Sequence, residues 1–412
     1  MVVSAVHPLP NAPGRRLRAV PVEPGPGVVT TLMPALRAAL AGDGDPLLPH
    51  AADRPAPAAL APGEPLAPEE DDEHDPTVVV VATSGSSGAP KGVLLPAGAL
   101  LASASATHDR LGGPGRWLLA LPAQHVAGVQ VLVRSLVTRT TPGVLDLTGG
   151  FTPAGFAAAA AALPGDRRYT ALVPTQLVRL LEAADAGEPA GLRELARFDA
   201  VLVGGAGTPA PVLERAAAAG VRVVTTYGAS ETSGGCVYDG VPLDGVRVRL
   251  EGGPGGDRVL LGGPTLARGY RGGDPDGAFV QDADGERWWR TADAGSLGDG
   301  RLQVLGRLDD AVLTGGATVL PAAVEAVLLR LPGIAEAVVT GVDDPHWGRR
   351  VVAAVVPAAG APAPRLDDVR AQVASELGPY AAPRQLLVLA SLPLVGVGKP
   401  DRAAVARLAA DG

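Results

Sequence analysis

The 412-residue sequence has few of the residues that mark secreted or nucleic-acid-binding proteins. Its single cysteine, Cys236, excludes an internal disulfide and fits a reducing compartment, where the thiol is simply packed. The formal net charge of −8 argues against a surface that binds nucleic acid, so an anionic substrate has to be met by local cations. Aromatic residues make up only 3% of the chain, and the wall of a binding pocket must therefore be mostly aliphatic side chains and backbone.

Long hydrophobic runs are missing as well. No uninterrupted stretch reaches the roughly 18 apolar residues that a membrane span needs. The arginines near the N-terminus, Arg15, Arg16 and Arg18, are not followed by the apolar segment of a signal peptide. We therefore expect a cytoplasmic protein without a membrane span. With 47% hydrophobic residues and a length sufficient for two or three domains, the chain is expected to be globular.

The most informative stretch that is present is a loop of small and hydroxyl residues, TSGSSGAPKG, between the apolar runs 78–81 and 93–95. Glycines let backbone N–H groups approach an anion, hydroxyls donate further hydrogen bonds, and a lysine adds a cation. The spacing is not that of the P-loop, in which Lys directly follows Gly and precedes Ser or Thr. The sequence predicts a site for a nucleoside triphosphate, with a flexible surface linker as the alternative. The candidate residues are Thr83, Ser84, Gly85, Ser86, Ser87, Gly88 and Lys91.

Strand and helix patterns alternate on both sides of this loop, which predicts an α/β fold with a mostly parallel sheet and helices on both faces. The acidic, proline-rich stretch 51–76 is interpreted as a solvated connection. The predicted helices are 30–41, 97–111, 126–137, 154–163 and 174–184, and the predicted strands are 117–121, 169–173, 200–203 and 221–226.

Beyond residue 240 the pattern changes. Short alternating strands separated by Gly, Pro and Asp turns predict a small antiparallel sheet or barrel over 240–305. The turn RLDD then leads into a second α/β unit of about 100 residues, a plausible size for a mobile lid. We therefore predict a core at 1–308 and an α+β lid at 309–412. In the lid we predict helices near 321–331 and 366–377, strands at 335–342, 351–356 and 385–389, and a terminal helix.

Three further motifs fall after predicted strands. His125 lies at the carboxyl end of a strand, where open α/β sheets bind ligands, although a lone His is more often structural. The glycines of VLVGGAG suit a tight turn or a close ligand contact. In YGASET, Tyr227 offers a ring face to a purine, Gly228 allows close approach, and Glu231 is a hard oxygen ligand suited to Mg²⁺. Alone, this motif could be only a turn and the start of a helix.

These motifs, taken in chain order, resemble the adenylate-forming superfamily of acyl-CoA synthetases, peptide-synthetase adenylation domains and luciferases. The resemblance extends over 78–402 and implies ATP, Mg²⁺ and an acyl-accepting thiol such as CoA. It implies an acyl-site gate at His125, an adenine site at Gly204, Gly205 and Ala206, and nucleotide contacts from Tyr227, Gly228 and Thr232. It implies ribose contacts from Asp293 and Arg307, a hinge at Asp309, a pantetheine tunnel at Gly315 and Gly316, and catalytic roles for Lys399, Glu231, Lys91 and His125.

Within the superfamily, the chain most resembles the o-succinylbenzoate–CoA ligases of menaquinone synthesis. The resemblance is carried by ASATHDRLGGPGRWLLALPAQHVAGVQVLVRSL, YGASETSGGCVYDGVPLDGV and the ending VGKPDR. Ser86 and Ser87 replace the more usual pair of threonines but keep the hydroxyls. The implied partners are a small carboxylic acid, ATP and CoA, without nucleic acid, as a monomer or a homodimer. Two alternatives remain, an enzyme that loads a carrier protein and a non-catalytic nucleotide-binding homologue.

Overall fold

The computed structural model describes residues 14–84, 90–253, 256–274, 276–358, 360–395 and 399–410, with the backbone alone at positions 84, 395 and 399. Elements are numbered in chain order. The first strands are β1 (Arg18–Val22), β2 (Leu47–Ala51), β3 (Thr77–Ser84), β4 (Pro90–Pro96), β5 (Arg116–Leu119), β6 (Gly143–Val144), β7 (Arg168–Leu172), β8 (Ala200–Gly204), β9 (Val223–Ala229), β10 (Gly234–Tyr238) and β11 (Val241–Pro242). The first helices are α1 (Leu32–Leu40), α2 (Ala97–Arg110), α3 (Val126–Val137), α4 (Pro153–Ala161), α5 (Pro174–Asp185), α6 (Ala190–Leu195) and α7 (Ala210–Ala218).

The remaining elements follow the same numbering. The strands are β12 (Arg247–Glu251), β13 (Arg258–Gly262), β14 (Gly269–Tyr270), β15 (Phe279–Gln281), β16 (Arg287–Gly298), β17 (Arg301–Arg307), β18 (Val312–Thr314), β19 (Ala317–Val319), β20 (Ile334–Asp344), β21 (Gly348–Pro357), β22 (Gln385–Val388), β23 (Leu394–Val395) and β24 (Lys399–Pro400). The helices are α8 (Pro321–Leu328), α9 (Leu366–Leu377) and α10 (Arg402–Ala410).

The largest sheet has seven strands in the order β11-β10-β9-β8-β7-β5-β6. Strands β5 to β9 run parallel, and β10 and β11 are antiparallel additions at one edge. Alternate residues of β8 enter different cores: Ala200 and Leu202 pack on one face, and Val201 and Val203 on the other. Because both faces of the sheet are covered at β8, the strand is a continuous run of apolar residues in the sequence. The predicted mostly parallel sheet with helices on both faces is confirmed.

A second sheet has five strands in the order β1-β2-β3-β4-β14. Strands β3 and β4 form an antiparallel pair that flanks the predicted phosphate loop, of which residues 85–89 lie outside the described residues. The sequence analysis missed β1 and β2, which are short and each contain a proline, a residue that normally weakens a strand assignment.

The interpretation of 51–76 as a solvated connection is wrong in one important respect. Leu60 and Leu66 are buried, and Glu70 is only 4% exposed. The Glu70 carboxylate accepts hydrogen bonds from the backbone N–H of Ala67 at 2.9 Å and of Gly272 at 2.7 Å, and it pairs with the guanidinium of Arg271. An acidic residue in a proline-rich stretch therefore holds this connection against the segment that begins with β14.

The β-rich region and the C-terminal unit follow the predicted pattern. Strands β12, β13, β15, β16 and β17 form the antiparallel sheet expected over 240–305. In the C-terminal unit, β18 to β22 form one sheet, and α8 and α9 pack on it around a core that includes Val324, Val339 and Val373. The turn at Asp309 and Asp310 lies between β17 and β18, and the boundary there stays a prediction. None of the helices in the described residues is long and apolar enough to cross a membrane.

Removal of Glu70 tests the importance of this buried ion pair. Glu70→Ala leaves the Arg271 guanidinium buried without its counter-ion, which typically costs about 3–5 kcal/mol of stability. The matched control is Glu69→Ala at the exposed neighbouring position, where a change within about 0.5 kcal/mol is expected. Urea unfolding of both variants measures the difference, and equal stabilities would show that the Glu70 pair contributes nothing.

Candidate active site

The carboxyl ends of neighbouring parallel strands bring several predicted site residues to one edge of the large sheet. Strands β9, β8, β7 and β5 are consecutive neighbours in this sheet. His125 is the exposed residue that precedes α3 after β5, Gly204 ends β8, and Tyr227 lies near the end of β9. Gly205 and Ala206 are exposed directly after β8. This edge is where open α/β sheets bind ligands.

Two of the glycines at this edge have a structural reason for being glycine. A Cβ at Gly204 would lie 2.2 Å from the Thr226 Oγ1 atom on the adjacent strand. A Cβ at Gly228 would lie 2.3 Å from the Gly234 carbonyl oxygen, so the close pairing of β9 with β10 requires glycine there. Gly205 has a φ of +83°, a conformation that glycine adopts without strain. Their contact with adenine stays a prediction.

Tyr227 and Asp293 are joined by a short hydrogen bond. The Tyr227 hydroxyl donates to Asp293 Oδ2 at 2.6 Å, and the Arg307 Nε atom lies 4.0 Å from Asp293 Oδ1. Burial raises the pKa of Asp293, while the Tyr227 hydrogen bond and the charge of Arg307 act in the opposite direction. Asp293 lies in β16, opposite Arg307 on β17. The strand pairing therefore places both predicted ribose contacts side by side.

Arg307 also links this pair to the predicted hinge. Its Nε atom donates to Asp309 Oδ1 at 2.8 Å, and a second guanidinium nitrogen binds the other carboxylate oxygen of Asp309. The hydrogen bonds of Arg307 hold the pKa of Asp309 below its usual range. A bidentate pair of this kind restrains the chain at the point where the core is predicted to end.

The proposed metal ligand lies close to the phosphate-loop lysine. Glu231 lies in a short 3₁₀ turn after β9, and the Tyr270 hydroxyl donates to its Oε1 atom at 2.9 Å. Burial raises the pKa of Glu231, while its own backbone N–H, the Tyr270 hydroxyl and the charge of Lys91 lower it. The Lys91 ammonium lies 5.3 Å from the centre of the Tyr270 ring and pairs with Asp276. These hard oxygens and cations fit a Mg²⁺–phosphate group.

The hydroxyl of Thr232 contacts backbone groups, and its contact with the nucleotide stays a prediction. The residue is fully buried, and its Oγ1 atom accepts from the Ala229 N–H at 2.9 Å and donates to the Gly234 carbonyl at 2.7 Å. Through these two hydrogen bonds to the backbone, the side chain shapes the turn that carries Glu231. The Thr83 hydroxyl is also near backbone, 3.3 Å from the Lys91 carbonyl oxygen across the β3–β4 pair.

The remaining predicted residues belong to the C-terminal unit. Gly315, with a φ of +55°, and Gly316 form the turn between β18 and β19, where a Cβ on Gly315 would lie 2.8 Å from the Trp347 ring. Lys399 begins β24, which pairs with β23 in a short hairpin before α10. Their places in the site stay predictions.

A buried arginine that was not predicted lies in the last turn of α3, packed against α2 and the start of β5. Arg134, in α3, is 3% exposed, and its guanidinium lies 4.8 Å from the Trp117 ring centre. One of its nitrogens donates to Thr107 Oγ1 at 3.2 Å and lies 3.5 Å from the Tyr238 hydroxyl. Within the described part of the chain, none of the ion pairs includes Arg134, and its Nε atom has no hydrogen-bond partner. Burial lowers its pKa.

Other polar atoms around Arg134 are also unsatisfied. In the described structure, Gln130 Oε1 and Ser233 Oγ are buried without hydrogen-bond partners, although Gln130 Nε2 donates to the Ser233 carbonyl at 2.8 Å. Burial lowers the pKa of His108 to about 4, so this nearby imidazole is neutral at pH 7. Ser233 follows the turn that carries Glu231, so Gln130 contacts the end of that turn. Arg134 is the one charged residue in the largely apolar segment VLVRSLV, which was the signal in the sequence.

Comparisons with known proteins agree with this geometry. Residues 26–271 match the family model of AMP-binding enzymes, and 323–399 match the AMP-binding enzyme C-terminal domain. A probable 2-succinylbenzoate–CoA ligase of Mycobacterium tuberculosis (strain H37Rv) is 47% identical over 396 residues, which cover 95% of this chain and 98% of the relative.

Two solved structures of o-succinylbenzoate CoA synthetase (MenE) from Bacillus subtilis are also similar. The complex with the acyl-adenylate intermediate OSB-AMP matches with a TM-score of 0.65 and 27% identity, covering 80% of this chain and 69% of that one. The complex with ATP and magnesium ion matches with a TM-score of 0.66 and 28% identity, covering 80% and 70%.

The predicted ribose contact of Asp293 can be tested with nucleotide analogues. Asp293→Asn removes the charge of the acceptor, and hydrogen bonds to charged groups are worth about 1.5–3 kcal/mol, so the KM for ATP should rise about 10–100-fold. The wild type should discriminate against 2′-deoxy- and 3′-deoxy-ATP, and the variant should lose that discrimination. Asp299→Asn, at an exposed turn of the same hairpin, is the control. Retained discrimination in Asp293→Asn would place the ribose elsewhere.

Proposed function

The chain belongs to the AMP-binding enzyme family, and from that membership we propose that it is a 2-succinylbenzoate–CoA ligase. The acid carboxylate attacks the α-phosphorus of ATP, and pyrophosphate leaves. The CoA thiol then loses its proton and attacks the acyl-adenylate carbonyl, and AMP leaves. The products are the CoA thioester, AMP and pyrophosphate. The transfer of the acyl group to free CoA, rather than to a carrier protein, is supported by the 47% identical relative.

The observation that carries the choice of acid is the 47% identity to a probable 2-succinylbenzoate–CoA ligase over 95% of this chain, and the buried charge of Arg134 supports it. 2-Succinylbenzoate has two carboxylates, of which one reacts and the other must be bound. A buried cation without a counter-ion is costly, and its cost falls when a ligand supplies the anion. The planar guanidinium suits bidentate binding of a carboxylate, and the unpaired Nε atom leaves a donor for it. We assign Arg134 to the carboxylate that does not react.

The phosphate side of the site depends on cations and hydroxyl groups. Mg²⁺, when bound, offsets negative charge on the phosphate oxygens as pyrophosphate leaves. Glu231 would hold the ion with a carboxylate oxygen, and Lys91 and the loop hydroxyls would bind the phosphates. Lys91 and Lys399 are the only two lysines among the 35 basic residues of the chain. A compact ammonium with three donors fits between phosphate oxygens where the wider guanidinium fork does not.

The second half-reaction requires room for the CoA thiol. We propose that the C-terminal unit closes with Lys399 at the reacting carboxylate and the α-phosphate, and then rotates about Asp309 to present Gly315 and Gly316 to the pantetheine. One site then serves both steps. We place the reaction in the cytoplasm, in keeping with the free thiol of the single cysteine. Both a monomer and a homodimer are compatible with this mechanism.

Two mono-acid analogues test the role of Arg134. 4-Oxo-4-phenylbutanoate and 2-butanoylbenzoate each lack one carboxylate of 2-succinylbenzoate. Arg134→Leu should lower kcat/KM for 2-succinylbenzoate about 10–100-fold, because a hydrogen bond to a charged group is worth about 1.5–3 kcal/mol. The analogue that retains only the reacting carboxylate should be an equally poor substrate for the wild type and for Arg134→Leu.

The control for this experiment is Arg193→Leu, at an exposed position of α6, which should leave all rates unchanged. A wild-type enzyme that used benzoate or a fatty acid as well as 2-succinylbenzoate would contradict the proposed acid. If Arg134→Leu lost as much activity with the mono-acid as with the diacid, the role of Arg134 would be contradicted but the proposed acid would not.

Replacement of Lys399 separates the two half-reactions. Contacts to charge that develops in the transition state are worth about 3–4 kcal/mol, so Lys399→Ala should slow adenylation by about two to three orders of magnitude. Thioester formation from supplied acyl-adenylate and CoA should stay near the wild-type rate, because Lys399 has then left the site. Single-turnover assays measure each step, with Arg407→Ala in α10 as the control. Equal losses in both steps would make Lys399 structural.

A further inference from the structure

Tyr270 is fixed by backbone pairing next to the strand that begins at the phosphate loop. The two-residue strand β14 pairs with β4, so that Tyr270 lies opposite Val93, and the Arg271 N–H donates to the Gly92 carbonyl at 2.7 Å. Directly opposed residues point to the same face of a sheet, and Lys91, two residues before Val93, shares that face. The ring of Tyr270 therefore lies beside the side chain of Lys91.

The hydroxyl of the same residue reaches the proposed metal ligand. It donates to Glu231 Oε1 at 2.9 Å. The backbone supports this contact, because the Ala267 N–H donates to the Glu231 carbonyl at 2.8 Å. The hydroxyl proton of Tyr270 is therefore directed at the Glu231 carboxylate.

The ring of Tyr270 contacts the phosphate-loop cation. The Lys91 ammonium lies 5.3 Å from the ring centre, within the range of a cation–π interaction. On its other edge the ring packs against Phe279, with ring centres 5.5 Å apart. One side chain thus contacts both the cation and the carboxylate that are assigned to the triphosphate.

We propose that Tyr270 is a positioning residue that orients the Glu231 carboxylate for Mg²⁺ by occupying Oε1. A carboxylate accepts at about four lone-pair positions, so the Tyr270 contact leaves others for the metal. Ligating carboxylates are commonly held by hydrogen bonds of this kind, and loss of such a partner typically lowers metal affinity about 10–100-fold. The inference rests on the proposed function only for the assignment of Glu231 to the metal.

The substitution Tyr270→Phe tests this role because it removes only the hydroxyl. The ring, its contact with Lys91 and its packing on Phe279 are kept, so the variant is expected to fold. The affinity for Mn²⁺, used as the probe ion, is measured by electron paramagnetic resonance with α,β-methylene-ATP bound. We expect the Mn²⁺ Kd to rise about tenfold. This measurement involves no acid, so its outcome is independent of whether 2-succinylbenzoate is the substrate.

A matched control and a double-mutant cycle separate positioning from general stability. Tyr169→Phe also removes a hydroxyl from a buried ring, but that hydroxyl donates to the carbonyls of Leu111 and Gly113, and Mn²⁺ affinity should not change. In the background of Glu231→Gln, Tyr270→Phe should cause no further loss, because residues that act as a unit are non-additive.

Three outcomes would overturn the proposal. They are a Mn²⁺ Kd within twofold of the wild type in Tyr270→Phe, the same loss in Tyr169→Phe, and an undiminished effect of Tyr270→Phe in the Glu231→Gln background. Should the melting temperature of Tyr270→Phe fall, the Mn²⁺ Kd is measured at a temperature at which the variant is folded, and an unchanged Kd there would count against the proposal.

Discussion

The pairing of β14 with β4 is the constraint on which the phosphate side of the site depends. It joins residues about 180 positions apart in the chain, and it places Tyr270 beside Lys91 and against Glu231. The other end of β14 continues into Arg271, whose guanidinium is held by the buried Glu70. The stretch that looks most like a solvated connection in the sequence therefore supports the strand that organises the cations and the carboxylate.

The buried charges of the site are compensated in two different ways. Asp293 and Glu231 each accept a tyrosine hydroxyl and lie near a cation, so their charges are balanced within the protein. Arg134 has only neutral partners among the described residues. Since desolvation of a charge is costly, this lack of a counter-ion supports the proposal that Arg134 binds a carboxylate of the acid. It distinguishes Arg134 from the carboxylates of the proposed nucleotide site.

The helices and strands with strong periodicity could be predicted closely from the sequence. The predicted bounds of α3 and α9, at 126–137 and 366–377, are those of the structure, because both have clear apolar spacing. Strands β1 and β2 were missed, since short strands with proline owe their existence to partners in the sheet. Asp293 was predicted as a ribose contact, but its position directly opposite Arg307 depends on the pairing of β16 with β17.

The chemistry that is available can be recognised from the residue order: a hydroxyl-rich loop with Lys91, a carboxylate at Glu231, and a second lysine near the C-terminus. These groups are recognisable because the local order of residue types is specific to phosphate and metal binding. Which side chains meet depends instead on how distant segments of the chain fold against one another. Tyr270 has no local pattern that reveals a role, because its role depends on strand pairing across the chain. Arg134 is visible in the sequence as a charge in an apolar segment, but the lack of a counter-ion for it among the described residues appears only in the fold. Both are properties of packing, which no single stretch of sequence contains.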